Sequence, residues 1–284
     1  MMQKILYSSQ ELHAQLGSRA IVVVDCRFDL GDTGSGYRDY LEAHIPGAFY
    51  AHLDDDLSSP ITVDSGRHPL PDKDSFAAFL SRIGWQPGTR LVAYDNAGGT
   101  IAARLWWLMK YFGYDCAGLL DGGIAAWQAA GYELEGGRVT TARQTPVVLN
   151  AESEMVTSTD QILANQGSND MILVDVRSSE RYSGQVEPID PVAGHVPGAL
   201  NYPLQLSLSQ EGRFKPAQQI RESLLGLLKG HPAKEVVYMC GSGVTACHTV
   251  FAAQLAGLKG SKLYAGSWSE WIRDPARPVE PQQG

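Results

Sequence analysis

The chain repeats a set of short runs once, in the same order, and this duplication constrains its fold more than any other feature. Ile21-Val22-Val23-Val24-Asp25-Cys26-Arg27 is echoed by Met171-Ile172-Leu173-Val174-Asp175-Val176-Arg177. Ala43-His44-Ile45-Pro46-Gly47-Ala48 is answered by Gly194-His195-Val196-Pro197-Gly198-Ala199. Arg90-Leu91-Val92-Ala93-Tyr94-Asp95 parallels Glu235-Val236-Val237-Tyr238-Met239-Cys240, and Asp121-Gly122-Gly123-Ile124-Ala125-Ala126-Trp127 parallels Ala265-Gly266-Ser267-Trp268-Ser269-Glu270-Trp271. A period of roughly 145 residues is too long for a solenoid, so two tandem domains are implied.

The repeated apolar runs are short, rich in β-branched residues and end on a polar residue, the profile of a parallel strand buried on both faces. Helical patterns lie between them, at Phe76–Leu80, Ile101–Met109, Ile220–Leu225 and Thr249–Leu255. Strands alternating with helices predict an α/β class, with a mostly parallel sheet flanked by helices in each half and ligands at the strands' carboxyl ends. The polar stretch Gly136–Pro146 has no clear period. It sets the expected division: a first domain over 1–138, a linker over 139–156 and a second domain over 157–284.

The two halves differ most where chemistry would reside. Cys240 follows the strand Val236-Val237-Tyr238-Met239 and precedes Gly241-Ser242-Gly243-Val244-Thr245-Ala246. A thiol is a useful nucleophile only as its thiolate, and a helix N-terminus with free amides lowers a cysteine pKa without a metal. Gly241 and Gly243 let the backbone curl around the sulfur as an anion-binding nest. The matching position in the first half is Asp95, so that half is expected to be catalytically inactive.

Composition narrows the function. Net charge is −8, from 31 acidic and 23 basic residues, with no basic block, which argues against nucleic-acid or membrane-surface binding. No run approaches the ~18 apolar residues of a membrane span, and Met1–Leu6 lacks a signal-peptide core. The four cysteines, Cys26, Cys116, Cys240 and Cys247, form no CxxC pair and no zinc spacing, so no metal is expected. Cys240 and Cys247 would lie ~10 Å apart along a helix, too far for a disulfide. Reduced thiols in a cytoplasmic protein are the simplest reading.

Taken together, these motifs resemble the tandem-domain rhodanese-type sulfurtransferases over essentially the whole chain. The loop Cys240–Thr245 looks like the form found in 3-mercaptopyruvate sulfurtransferases, whereas thiosulfate-preferring relatives carry basic residues directly after the cysteine. The resemblance implies ping-pong transfer of sulfane sulfur through a Cys240 persulfide. The donor would be 3-mercaptopyruvate or thiosulfate, and the acceptor a small thiol, cyanide or a thioredoxin-type protein. The covalent persulfide needs no cofactor. The resemblance also implies a Ser242–His68–Asp54 relay beside Cys240, with Gly241, Gly243, Val244 and Thr245 shaping the donor site and Arg181 binding the donor's carboxylate. From the residues themselves, Arg177 reads as scaffold like Arg27, with an accessory anion contact as the alternative. The family's second arginine is missing, because Glu187–Ala193 contains no basic residue. That departure leaves thiosulfate open as donor.

Bland readings stand beside these. Asp25, Asp175, Arg27, His44 and His195 belong to blocks present in both halves and read as scaffold, Arg181 reads as a surface ion pair as readily as a donor contact, and Cys26, Cys116 and Cys247 read as packed thiols. Trp127 and Trp271 read as core plugs, and Trp268 as either core or a wall of the donor pocket. Two other functions compete. A cysteine phosphatase requires an arginine at position 246, which is alanine. A persulfide carrier in a sulfur relay would use the same loop with little turnover.

Overall fold

The computed structural model describes residues 4–141, 146–168 and 170–280. Ala142–Thr145, within the expected boundary stretch, lie outside the described residues. The chain forms two compact units. One comprises Met1–Ser59, Leu70–Glu152 and Gln210–Arg213; the other comprises Pro60–Pro69, Ser153–Ser209 and Phe214–Gly284. The short segment carrying Arg67 and His68 therefore belongs with the second repeat, although it precedes it in sequence. Much of the expected linker belongs with the first unit: Val139 N–H donates to Tyr40 Oη, Tyr114 Oη to the Val148 carbonyl and Glu152 N–H to the Tyr111 carbonyl.

The first unit contains strands β1 (Leu6–Tyr7), β2 (Ile21–Asp25), β3 (Phe49–Tyr50), β4 (Arg90–Tyr94) and β5 (Ala117–Leu120), all parallel in the order β1-β5-β4-β2-β3. Its helices are α1 (Ser9–His13), α2 (Ser35–Glu42), α3 (Lys73–Arg82), α4 (Ala102–Tyr111) and α5 (Gly123–Ala129). Asp72 caps α3 by accepting the amides of Asp74 and Ser75, satisfying donors that the first turn would leave orphaned. In α4 every residue from Ala102 to Met109 is buried, including Arg104, whose Nε donates to the Leu57 carbonyl at 3.3 Å.

The second unit contains β6 (Ile172–Asp175), β7 (Leu200–Asn201), β8 (Val236–Met239) and β9 (Lys262–Leu263), parallel in the order β7-β6-β8-β9. Its helices are α6 (Thr159–Ala164), α7 (Ser179–Tyr182), α8 (Ala217–Leu228), α9 (Ala246–Leu255) and α10 (Ser267–Trp271). Trp268 and Trp271 are fully buried on its core with Val196, Val237 and Met239. Each indole removes ~150–250 Å² from water, worth roughly 4–6 kcal/mol before ordering entropy is subtracted.

The repeated sequence blocks become repeated hydrogen bonds. Asp25 holds Arg27 Nη2 at 2.7 Å, and that guanidinium donates to the Ala43 carbonyl at 2.6 Å. Asp175 holds Arg177 Nη2 at 2.7 Å, and it donates to the Gly194 carbonyl at 2.7 Å. His44 Nδ1 lies 2.7 Å from the Tyr40 carbonyl and His195 Nδ1 lies 2.8 Å from the Tyr182 carbonyl, each ring stacked on that tyrosine. These residues clip the His-x-Pro-Gly turn to the end of a central strand, a structural task performed identically in both units.

Candidate active site

Cys240 is the first residue beyond β8, at the carboxyl edge of the second sheet, and is 1% exposed. Its backbone is held on both sides by the start of α10. Cys240 N–H donates to Ser267 Oγ (3.0 Å), Trp268 N–H donates to the Cys240 carbonyl (3.1 Å) and Ser269 N–H to the Gly241 carbonyl (2.8 Å). Ser267 adopts a left-handed φ of 53°, a conformation costly for a residue with a Cβ. Its hydroxyl also donates to the Tyr264 carbonyl (2.8 Å), which fixes it in that posture.

The loop then turns back on the sulfur. Gly243 N–H donates to Cys240 Sγ at 3.1 Å. Gly243 has φ +77°, and a β-carbon there would lie 2.0 Å from the Ala265 carbonyl oxygen, so only glycine can bring this amide to the sulfur. The amide gives the sulfur a fixed hydrogen-bond donor. Val244 is buried and Thr245, half-buried, leads into α9 without capping it through its side chain.

Ser242 Oγ lies 2.7 Å from His68 Nδ1, with both residues nearly buried. His68 arrives on the segment 60–69. Gly66 in that segment passes so close to the Gly266 carbonyl that a β-carbon would be 2.5 Å from it. Arg67 N–H donates to Ser269 Oγ (2.9 Å), and Arg273 Nε to the Ser65 carbonyl (3.1 Å). Asp54, expected in the relay, lies in the first unit, where its N–H donates to His52 Nδ1 (3.2 Å). Burial raises its carboxyl pKa against the lowering influence of His52, with Asp55 adding to the rise.

Arg181 is partly open, with 18% of its side chain exposed, and is gripped by two buried carboxylates. Its Nη2 lies 2.8 Å from Glu187 Oε1 and 3.1 Å from Asp190 Oδ2. Burial alone would raise the Glu187 pKa, but the Arg181 bonds and the amides of Asp190 and Ile189 outweigh it and hold the carboxyl below its ordinary value. Arg177 is elsewhere than expected. Its side chain is 1% exposed, its guanidinium is shared among Asp175, Glu187 and the Gly194 carbonyl, and it stacks 4.7 Å from the Trp268 ring centroid. This is scaffold rather than an anion contact, because its donors are consumed inside the unit. Trp268 is likewise core, its indole N–H donating to the Val192 carbonyl (2.9 Å).

The remaining thiols are packed. Burial, reinforced by Asp25, Asp95 and Asp56, pushes Cys26 well above its usual range, and burial with Asp115, opposed by Arg90, pushes Cys116 up to about 11. Cys247 donates its S–H to the Gly243 carbonyl (3.3 Å). Sequence reasoning missed Ser267, Ser269, Asp190 and Arg67. The repeated block Asp121–Trp127 and Ala265–Trp271 signalled the first two, and Arg67 sits beside His68, itself a site candidate in the sequence.

The match to known proteins is decided by the duplication itself, since the rhodanese-like domain model matches residues 8–130 and again 158–274. The chain belongs to the rhodanese family. A Pseudomonas aeruginosa protein provisionally named 3-mercaptopyruvate sulfurtransferase is 45% identical over 276 residues, covering 96% of this chain and 97% of that protein. A Mycobacterium tuberculosis protein provisionally named thiosulfate sulfurtransferase is 36% identical, covering 97% and 96% respectively. The solved structure of 3-mercaptopyruvate sulfurtransferase from Leishmania major superposes with a TM-score of 0.84 at 29% identity, over 96% of this rhodanese and 76% of that chain. Among the described residues, no group of three or more histidine, cysteine, aspartate or glutamate side chains could hold a metal ion, and no helix is long and apolar enough to cross a membrane.

Proposed function

We propose that this rhodanese moves sulfane sulfur from 3-mercaptopyruvate, or from thiosulfate, to a thiol or cyanide acceptor by way of a Cys240 persulfide. The observation that carries the reading is the Gly243 amide aimed at Cys240 Sγ at the carboxyl edge of the second sheet.

With mercaptopyruvate, the Cys240 thiolate attacks the donor's sulfur and a new S–S bond forms as the donor's C–S bond breaks. The electron pair of that bond passes to the methylene carbon, giving the pyruvate enolate. The donor's thiol proton ends on that carbon, leaving pyruvate and an anionic persulfide. Ser242 and His68, 2.7 Å apart, supply a path for this proton. In the second half-reaction, cyanide or a thiolate attacks the outer sulfur and Cys240 leaves as its thiolate. The Gly243 amide stabilises the sulfur's charge at both ends of the cycle. No further redox partner or cofactor is needed for these steps to balance. The donor's anionic end is assigned to Arg181.

Cys240→Ser is expected to reduce transfer to the uncatalysed background while leaving the circular dichroism spectrum unchanged. Mass spectrometry of the unsubstituted protein incubated with donor should show one added sulfur on the peptide containing Cys240. Undiminished transfer by Cys240→Ser would overturn the reading.

A further inference from the structure

We infer that Arg67 is the second arginine of the donor site, acting with Arg181 on the anionic end of the sulfur donor. The inference rests on the sulfurtransferase reading and assigns a recognition role to a residue outside the 187–193 stretch, which has no basic residue of its own.

The geometry carries it. Both guanidinium groups hang over Gly241, the residue next to the reacting cysteine. A β-carbon on Gly241 would lie 3.3 Å from Arg67 Nη2 and 3.6 Å from both Nη1 and Nη2 of Arg181. Asp190, with its side chain 3% exposed, bridges the two arginines by accepting from Arg67 Nη1 at 2.5 Å and from Arg181 Nη2 at 3.1 Å. Glu187 takes Nε and Nη2 of Arg181. Among the described residues these bonds leave Arg67 Nη2 and Arg181 Nη1 without a partner, as a pair of donors over the same spot. A carboxylate or sulfonate accepts such a pair of charge-assisted bonds.

Access and rigidity agree. The Arg67 side chain is 22% exposed, and beside it lies a cavity of about 430 Å³ bordered by Ile61, Asp190, Ile189 and Ser269. Arg67 is also held by its own backbone on Ser269 Oγ, and the next residue is His68, which bonds Ser242. One short segment thus delivers both the anion contact and the proton path. Within 187–193, Asp190 cannot bind an anion itself but orients both arginines that can.

The test is steady-state kinetics on Arg67→Ala and Arg67→Lys with mercaptopyruvate and thiosulfate as separate donors. Loss of one charge-assisted contact predicts a KM rise of about ten- to a hundredfold for Arg67→Ala, with kcat within about threefold. Arg67→Lys retains a cation for Asp190 but lacks the fork, and should show an intermediate rise. A larger factor with mercaptopyruvate identifies a carboxylate as the bound group, the result expected; a larger factor with thiosulfate identifies a sulfonate. Unchanged KM for both donors, or an equal fall in kcat with KM untouched, overturns the role of Arg67. Persulfide formation on Cys240 of the unsubstituted protein is measured alongside. Its failure would reject the sulfurtransferase reading instead.

Discussion

The loop after β4 and the loop after β8 begin from the same strand register and end at buried helices, yet they treat negative charge in opposite ways. In the first, the Asp95 carboxylate fills its own nest: Oδ1 accepts from Ala97 and Gly99 at 2.8 Å, and Oδ2 from Ile101 and Ala102 at 2.9 Å. In the second, Cys240 Sγ receives one amide among the described residues, that of Gly243. The flanking staple is retained in both, with Ile124 N–H on the Asp95 carbonyl and Trp268 N–H on the Cys240 carbonyl, each at 3.1 Å. One loop gives four amides to an internal carboxylate, and the other leaves its sulfur with one. On the proposed reading, a duplicated fold divides into a structural and a reactive half through one side chain, with the flanking staple left in place.

The largest effect that would sharpen this contrast is on stability. Asp95→Ala removes the acceptor for four amides, two of them in buried backbone, and should cost about 3–5 kcal/mol in urea unfolding of the first unit. Asp95→Asn should cost about half as much. If Asp95→Ala were neutral, the filled-nest account would fail. Next, Gly243→Ala must push the loop off the Ala265 carbonyl and withdraw the amide from Cys240 Sγ, so transfer should fall about a hundredfold. The equivalent first-unit change, Gly98→Ala at φ +71°, should leave kcat within about twofold while lowering stability by about 1 kcal/mol or more. Ser242→Ala severs the bond to His68 and should lower kcat by about tenfold or more, with a changed pH profile as the readout.

The smallest effect concerns acid. Glu187 titrates below its ordinary value of 4.5 in the folded protein. Its ion pairs therefore contribute fully above that ordinary value and are lost as pH falls through the depressed folded one. Glu187→Gln should cost about 1 kcal/mol at neutral pH, and the difference from the parent should vanish on acidification, as followed by unfolding midpoints. A difference independent of pH would show that packing, not charge, is what Glu187 supplies.

Much of this was readable in the sequence because the chain carries its own internal reference. Setting Asp95 against Cys240 singled out the loop after β8, and the shared Asp-x-Arg and His-x-Pro-Gly blocks marked the scaffold. For Arg177, the counterpart Arg27 pointed to structure rather than to the alternative of an anion contact. A guanidinium two residues from a buried aspartate folds back onto it, as Arg177 does onto Asp175. What stayed hidden depends on separate segments converging in space. Nothing local marks Arg67 as a neighbour of Asp190, or Ser267 as the acceptor for the Cys240 amide. Those contacts follow from Gly66 and Gly243 permitting backbone approaches that only the folded unit displays.

The Asp-x-Arg clip has one more consequence. Because Cys26 N–H reaches the Tyr94 carbonyl at 2.8 Å and Val176 N–H reaches the Met239 carbonyl at 2.9 Å, the two sheets present the same platform to whatever loop follows. Each half is in effect a socket with a standard fitting. A designer could transplant the six residues from Cys240 to Thr245 onto the end of β4 and ask the first socket to carry sulfur as well.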